Sequence, residues 1–198
     1  MKTIATQYIQ ELADLLTNTQ VTDDQNGAVL LNDATTQVAQ QLDAVRKANR
    51  KVIIVGNGGS ATIASHIHTD LSHALGMRAL VFYDQGLLTA RSNDVSYETA
   101  FEWSSNIWAD EGDIIIGISS SGQSQNIVRV ANLGKARNCF VITFSGFKPE
   151  NPLRQAGHLN FYVESNFYGY VEMAHAVLGH FITDSILMAI RNQEKAFA

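Results

Sequence analysis

The chain has 198 residues, 45% of them apolar, with two prolines and a formal net charge of −5. That length suits one domain with a full interior, and the composition excludes a disordered or collagen-like chain. The negative balance argues against nucleic acid as a partner, because a phosphate backbone needs a basic face; a small phosphorylated ligand stays open, since helix N-termini and hydroxyls hold phosphate without lysine.

Apolar residues at Ile4, Tyr8, Ile9, Leu12, Leu15 and Leu16 recur at helical spacing and predict a first helix over 1–17. Residues 18–27 are polar and end in Asn-Gly, the composition of a loop. A second amphipathic helix is predicted over 29–48, with Leu30, Leu31, Val38, Leu42 and Val45 on its buried side. Its basic end (Arg46, Lys47, Arg50) suits the negative end of the helix dipole. A parallel α/β unit does not need two leading helices. Residues 1–49 are therefore assigned to packing and oligomer contacts, and 50–198 to an α/β core with a C-terminal helix. No repeat or linker divides the chain, so one domain is expected over 1–198.

The core opens on Lys51-Val-Ile-Ile-Val-Gly-Asn-Gly-Gly-Ser60. Stiff β-branched residues make 52–55 a buried strand. Gly56, Gly58 and Gly59 then form a turn, and Ser60 is the expected N-cap of the next helix. His66 and Asp70, four apart, share a face of that helix. Further strands are expected at 79–83, 114–118, 139–144 and 159–163. Helices are expected at 87–92, at 97–108, from the loop at 119–124 to about 136, at 151–156 and at 172–192. This alternation predicts a three-layer α-β-α sandwich around a five-stranded parallel sheet. The single cysteine, Cys139, excludes a disulfide within the chain and reads as a buried, inert thiol. No apolar run long enough to cross a membrane and no signal-peptide pattern is expected, which points to the cytoplasm.

Three stretches carry chemistry. Ser119, Ser120, Ser121 and Ser124 surround Gly122 between a strand's carboxyl end and a helix's start. Ligands of open parallel sheets bind there, and hydroxyls with unpaired helix amides make a neutral phosphate cradle. The glycine turn also fits the loose dinucleotide fingerprint G-x-G-x-x-A, with Asp84 where a ribose-binding acid would stand. The chain is short for a cofactor domain plus a substrate domain, so a nicotinamide enzyme ranks behind. Glu172, His175 and His180 lie on the last helix. Glu172 and His180 are separated by about 12 Å along a straight helix, so one ion takes both only through a bend or a second subunit. Asp184, four past His180, is placed to orient its imidazole. Asn93 and Asp94 suit capping or sugar hydroxyls. His68 and His73 read as helix-surface residues and His158 as a loop residue.

In order, the stretches VGNGGSATIASHIHTDL, SNDVSYETAF, GISSSGQSQNIV and GYVEMAHAVLGH resemble the sugar isomerase (SIS) domain family, and within it the phosphoheptose isomerases. The resemblance implies a homotetramer with sites at subunit interfaces. It also implies conversion of sedoheptulose 7-phosphate to D-glycero-D-manno-heptose 7-phosphate through an enediol, for surface polysaccharide such as lipopolysaccharide. Phosphate falls to Ser119, Ser120, Ser121 and Ser124, and the sugar to Asn57, Gly58, Gly59, Asn93, Asp94, Asp70 and Glu172. Zinc falls to His66, Asp70, Glu172 and His180, and acid–base catalysis to Asp70 and His180. At two of these positions the family carries Glu and Gln where this chain has Asp70 and Glu172, and Gly169 stands where the family places an Asp. A non-catalytic SIS interaction module, of the kind that regulates replication initiation, and an isomerase of another sugar phosphate are the alternatives.

Overall fold

The computed structural model describes residues 4–196. In chain order the elements are α1 (Ala5–Thr17), β1 (Gln20–Asp23), β2 (Ala28–Val29), α2 (Leu31–Lys47), β3 (Lys51–Gly56), α3 (Gly59–Thr69), β4 (Arg78–Leu80), α4 (Gln85–Asp94), α5 (Ala100–Trp108), β5 (Ile114–Ser119), α6 (Gln125–Ala136), β6 (Phe140–Gly146), β7 (Leu159–Val163) and α7 (Tyr168–Ala196). Residues 1–3 of the expected first helix lie outside the described residues.

The strands form one seven-stranded sheet in the order β2-β1-β7-β6-β5-β3-β4. The stretch from β7 to β4 is the expected five parallel strands. The expectation of a five-stranded sheet is corrected at its other edge. There β1 pairs antiparallel with β7, and β2 folds back on β1. The polar composition of 18–27 hid this hairpin. Of its first strand only Val21 is buried. The turn is built by Asp23, whose carboxylate accepts the Gln25 and Gly27 amides at 2.9 and 2.7 Å, and by Asn26, which holds a φ of 61°. The hairpin covers backbone groups that β7 would otherwise expose.

Alternation along the parallel strands divides the interior into two layers. Val52, Ile54, Ile116, Ile142 and Phe161 face α2, α3 and α7. Ile53, Val55, Ile115 and Val141 face α5 and α6. The three-layer sandwich is therefore as expected. Stacking of Tyr8 on Tyr170, with ring centroids 4.4 Å apart, joins α1 to α7. At the amino end of β3 a buried ion cluster closes the sheet. Asp113 is fully buried, and its carboxylate takes the Lys51 amide at 3.0 Å, the Asp110 amide at 2.8 Å and the Lys51 ammonium at 2.7 Å. Burial opposes the Lys51 charge, but hydrogen bonds to Asp110 and Asp113 outweigh it and raise the Lys51 pKa.

Two further expectations are corrected. The strand expected at 79–83 is paired only over Arg78–Leu80, because Val81 to Asp84 turn away to start α4. Asp84 is the N-cap of that helix, accepting the Leu87 amide at 2.9 Å. The last helix is also long and apolar enough, by length and composition alone, to cross a membrane over Tyr168–Arg191, with a mean hydropathy of 1.4. Glu172, His175, His180 and Asp184 interrupt that run in the sequence and mask it. In the fold its Val171, Ala174, Leu178, Ile182 and Ile186 are buried against the domain.

His175, on the same helix, is fully buried. Burial pushes its pKa from 6.5 down to about 4, against a hydrogen bond to the Ser145 carbonyl that favours the charge. Between those pH values the unfolded chain binds a proton that the folded chain does not. Stability from this group is therefore complete above pH 6.5 and is lost as pH falls toward 4, by about 3 kcal/mol in all. Denaturant titrations from pH 7 to 4 should show that loss in the wild type and a flatter limb in His175→Gln.

Candidate functional site

The strand order reverses between β3 and β5. From β3 the chain moves outward to β4, and from β5 it moves the other way to β6. The connections after the two strands therefore leave in opposite directions and open a crevice at their carboxyl ends. The glycine turn after β3 and the serine loop after β5 meet in it. Together with Tyr168 and Glu172 of α7 they line a cavity of about 220 Å³.

Backbone geometry fixes both loops. Gly58 has a φ of 54° and Gly122 a φ of 65°, angles that side chains other than glycine rarely adopt. Gly58 is the residue that precedes α3 as its cap. The expected cap, Ser60, lies inside the helix and is buried. The reason is the closeness of the turn: a Cβ on Gly56 would press on the Ser60 carbonyl. In the serine loop the Ser119 hydroxyl donates to Ser124 at 3.1 Å, and Ser121 accepts the Gln123 amide at 3.2 Å. The Ser120 hydroxyl is buried and has no partner, so an incoming acceptor would satisfy it. Among the described residues no lysine or arginine lines the cavity. Its donors are neutral.

The Asn57 amide is clamped. It exchanges hydrogen bonds with Asn126 at 2.9 and 3.0 Å, and its oxygen accepts the Tyr97 hydroxyl at 2.7 Å. Tyr83 holds Gly56 through the amide at 3.0 Å and the carbonyl at 3.2 Å, and burial keeps this phenol protonated well above its usual range. The Glu172 carboxylate rests on Gly59, where a Cβ would collide with it.

Further along α3 lies a second group. The side-chain donor atoms of His66, Asp70 and His180 all fall within 4.8 Å of one another. His180 Nδ1 is 3.2 Å from Asp70 Oδ2, and His66 Nε2 is 3.8 Å from Asp70 Oδ1. The two imidazoles meet edge to face at 4.5 Å. The Thr183 hydroxyl reaches Asp70 Oδ2 at 3.4 Å. Asp70 opens a π-helical turn, Asp70–Ala74, that widens the end of α3. Such turns often mark functional sites. All three side chains stay open to solvent, at 61% for His66, 25% for Asp70 and 45% for His180.

Helices α3 and α7 run side by side in the same direction: Glu172 sits on Gly59, Gly179 packs on Ile67, and His180 reaches Asp70. The serine cavity and the His/Asp group are therefore separate, about 12 Å apart along α7. The structure joins the four serines with Asn57, Gly58, Gly59 and Glu172, and it joins His66 with Asp70 and His180. It does not bring Glu172 to the His/Asp group. Asn93 and Asp94 end α4, are exposed, and line neither cavity. Asp184 is not paired with His180, whose carboxylate neighbour is Asp70. Tyr97, Asn126, Tyr168 and Thr183 were not legible as site residues, since Tyr97 precedes α5, Asn126 lies on α6, Tyr168 and Thr183 stand about four turns apart on α7, and none forms a local motif.

Two imidazoles and a carboxylate are a donor set that suits zinc, and three protein ligands leave a coordination position free. The residues present therefore fit a divalent ion, with Glu172 outside its first ligands.

The crevice, lined by hydroxyls, glycine backbone and the Glu172 carboxylate, stands where open parallel α/β sheets bind their ligands. The sequence profile of the SIS domain matches residues 7–146. A phosphoheptose isomerase of Thermodesulfovibrio yellowstonii is 31% identical over 156 residues, covering 76% of this chain and 77% of that protein. One of Aquifex aeolicus is 32% identical over 156 residues, covering 75% and 81%. A solved phosphoheptose isomerase of Neisseria gonorrhoeae shares the fold, with a TM-score of 0.78 at 23% identity over 91% of this chain and 95% of that one. The chain belongs to the SIS-domain family and, within it, to the phosphoheptose isomerases.

Metal titration checks the ligand set. Cobalt or zinc affinity, read by absorption or calorimetry, should fall at least about 10-fold in His66→Ala, Asp70→Asn and His180→Ala. It should stay within about threefold in Glu172→Gln, because Glu172 stands a cavity away.

Proposed function

We propose that the protein is an aldose–ketose isomerase that converts sedoheptulose 7-phosphate to D-glycero-D-manno-heptose 7-phosphate in the cytoplasm, for heptose destined for surface polysaccharide. The observation that carries this reading is the pairing of a hydroxyl-lined, cation-free cavity with a carboxylate–imidazole pair on the same two helices. The cavity takes the phosphate through Ser119, Ser120, Ser121 and Ser124, with Asn57, Gly58, Gly59 and Glu172 beside the sugar. The far phosphate anchors the substrate by uniform binding, held alike before and during the reaction.

The reaction moves one proton between adjacent carbons through an enediol, and shuttles another between their oxygens. Asp70 and His180 are the acid–base pair. They stand 3.2 Å apart, close enough for one to take the carbon-bound proton while the other serves the neighbouring oxygens. A zinc ion held by His66, Asp70 and His180 would supply Lewis-acid polarisation of the carbonyl instead, taking up the lone pairs that these groups otherwise use as acid and base. The residues named for the sugar do not all meet in one chain. This supports a homo-oligomer, a tetramer by family resemblance, in which a second copy completes each site and brings in residues such as Asn93 and Asp94. In this reading residues 1–198 act as one SIS domain, with the leading helices contributing to the assembly.

Purified protein should turn over sedoheptulose 7-phosphate. His180→Ala should lower kcat by about 10²-fold or more while inorganic phosphate still binds with near wild-type affinity; unchanged turnover removes His180 from the chemistry. Chelation should abolish turnover and zinc should restore it. Turnover indifferent to chelation leaves Asp70 and His180 as a metal-free pair.

A further inference from the structure

The serine loop is seated on a side chain that lines neither cavity. Asn151 is fully buried. Its Nδ2 donates to the Lys148 carbonyl at 2.8 Å, and the Gly146 carbonyl and the Ser145 hydroxyl lie 3.2 and 3.3 Å away. Its Oδ1 accepts the Arg154 amide at 2.9 Å. The side chain thus has its hydrogen-bonding capacity met by protein groups alone. Gly122, at the apex of the loop, packs on this amide so closely that a Cβ there would run into Asn151 Oδ1. The contact is fastened by the Leu153 amide, two residues past Asn151, which donates to the Gly122 carbonyl at 3.1 Å. On the loop's other flank the Ser120 carbonyl rests against Gly146, 3.0 Å from where a Cβ would stand. The neighbouring Ser145 carbonyl accepts His175 Nε2–H at 3.1 Å, one turn along α7 from Glu172. The segment around Asn151 therefore meets both walls of the phosphate cavity, the loop and α7.

We infer that Asn151 is a positioning residue for phosphate binding: it sets the shape of the seat that holds Gly122 and so aims the donors of residues 119–124. A neutral cradle has no cation to attract a misplaced anion, so its strength depends on donors fixed in advance. The inference rests on the reading that this loop takes the phosphate. Phosphate is remote from the reacting carbons and is held alike in ground and transition states. Losing its seat therefore raises KM and leaves kcat in place.

The test combines calorimetric titration with inorganic phosphate and steady-state kinetics on the full chain. Asn151→Ala should raise both the phosphate Kd and KM about 10-fold, with kcat within about threefold. Thr143→Val is the control. It removes the hydroxyl that Asn160 Nδ2 reaches at 2.8 Å, in the same buried polar chain but away from the loop, and should lower Tm while leaving Kd and KM unchanged. Should Asn151→Ala fail to fold, Ser145→Ala removes one of the three acceptors, keeps both carbonyls, and should raise Kd by a smaller factor than Asn151→Ala would. An unchanged Kd in the folded Asn151 or Ser145 variant overturns the inference, as does an equal rise in Thr143→Val. Ser120→Ala and Ser121→Ala separate the two claims. If they weaken phosphate and Asn151→Ala does not, only the positioning role falls. If neither weakens it, the cradle itself is elsewhere.

Discussion

The reversal of strand order between β3 and β5 is the constraint on which the rest depends. Two parallel strands whose connections leave in opposite directions cannot cover their shared carboxyl end, so a crevice opens there whatever the sequence of the loops. This sequence fills it with glycines on one side and hydroxyls on the other. The glycines let α3 start directly at the crevice wall. The hydroxyls line it without charge. The helices packed on that face, α3 and α7, then carry the remaining polar groups away from the crevice in one direction, which separates the crevice from the His66, Asp70 and His180 group along their length.

Much of this was legible in advance because it is local. The run Val52–Val55, the glycine turn, the serine loop and the His66/Asp70 spacing each lie within a few consecutive residues, and periodicity or turn chemistry reveals them. What escaped reading depends on contacts distant in sequence. The β1 hairpin is polar except at Val21, and its identity as strand comes from the free edge of β7. The cap of α3 moved from Ser60 to Gly58 because the backbone of β3 approaches the helix so closely. Asn57 is clamped by Tyr97 and Asn126 from two other elements, which no spacing rule connects. Asn151, between two prolines, reads as an ordinary turn residue until the fold brings Gly122 onto it.

The His66, Asp70 and His180 cluster shows how one helical irregularity brings three side chains together. An α-helix continued regularly through Asp70 would stack its carboxylate over His66 at the usual spacing of i and i+4. The π turn that begins at Asp70 widens the helix where the carboxylate must also reach His180 and Thr183 on α7. From this turn the Asp70 carboxylate stands within reach of both imidazoles.

The cavity without lysine or arginine has a further consequence. A dianion held by hydroxyls and amides is held by dipoles in contact, and such short-range attraction is screened far less by dissolved ions than attraction between separated charges. With a chain that is negative overall, little long-range steering draws the ligand in. Under the proposed reading, recognition would be decided at contact distance, with affinity following the shape of the loop more than the ionic strength of the surroundings.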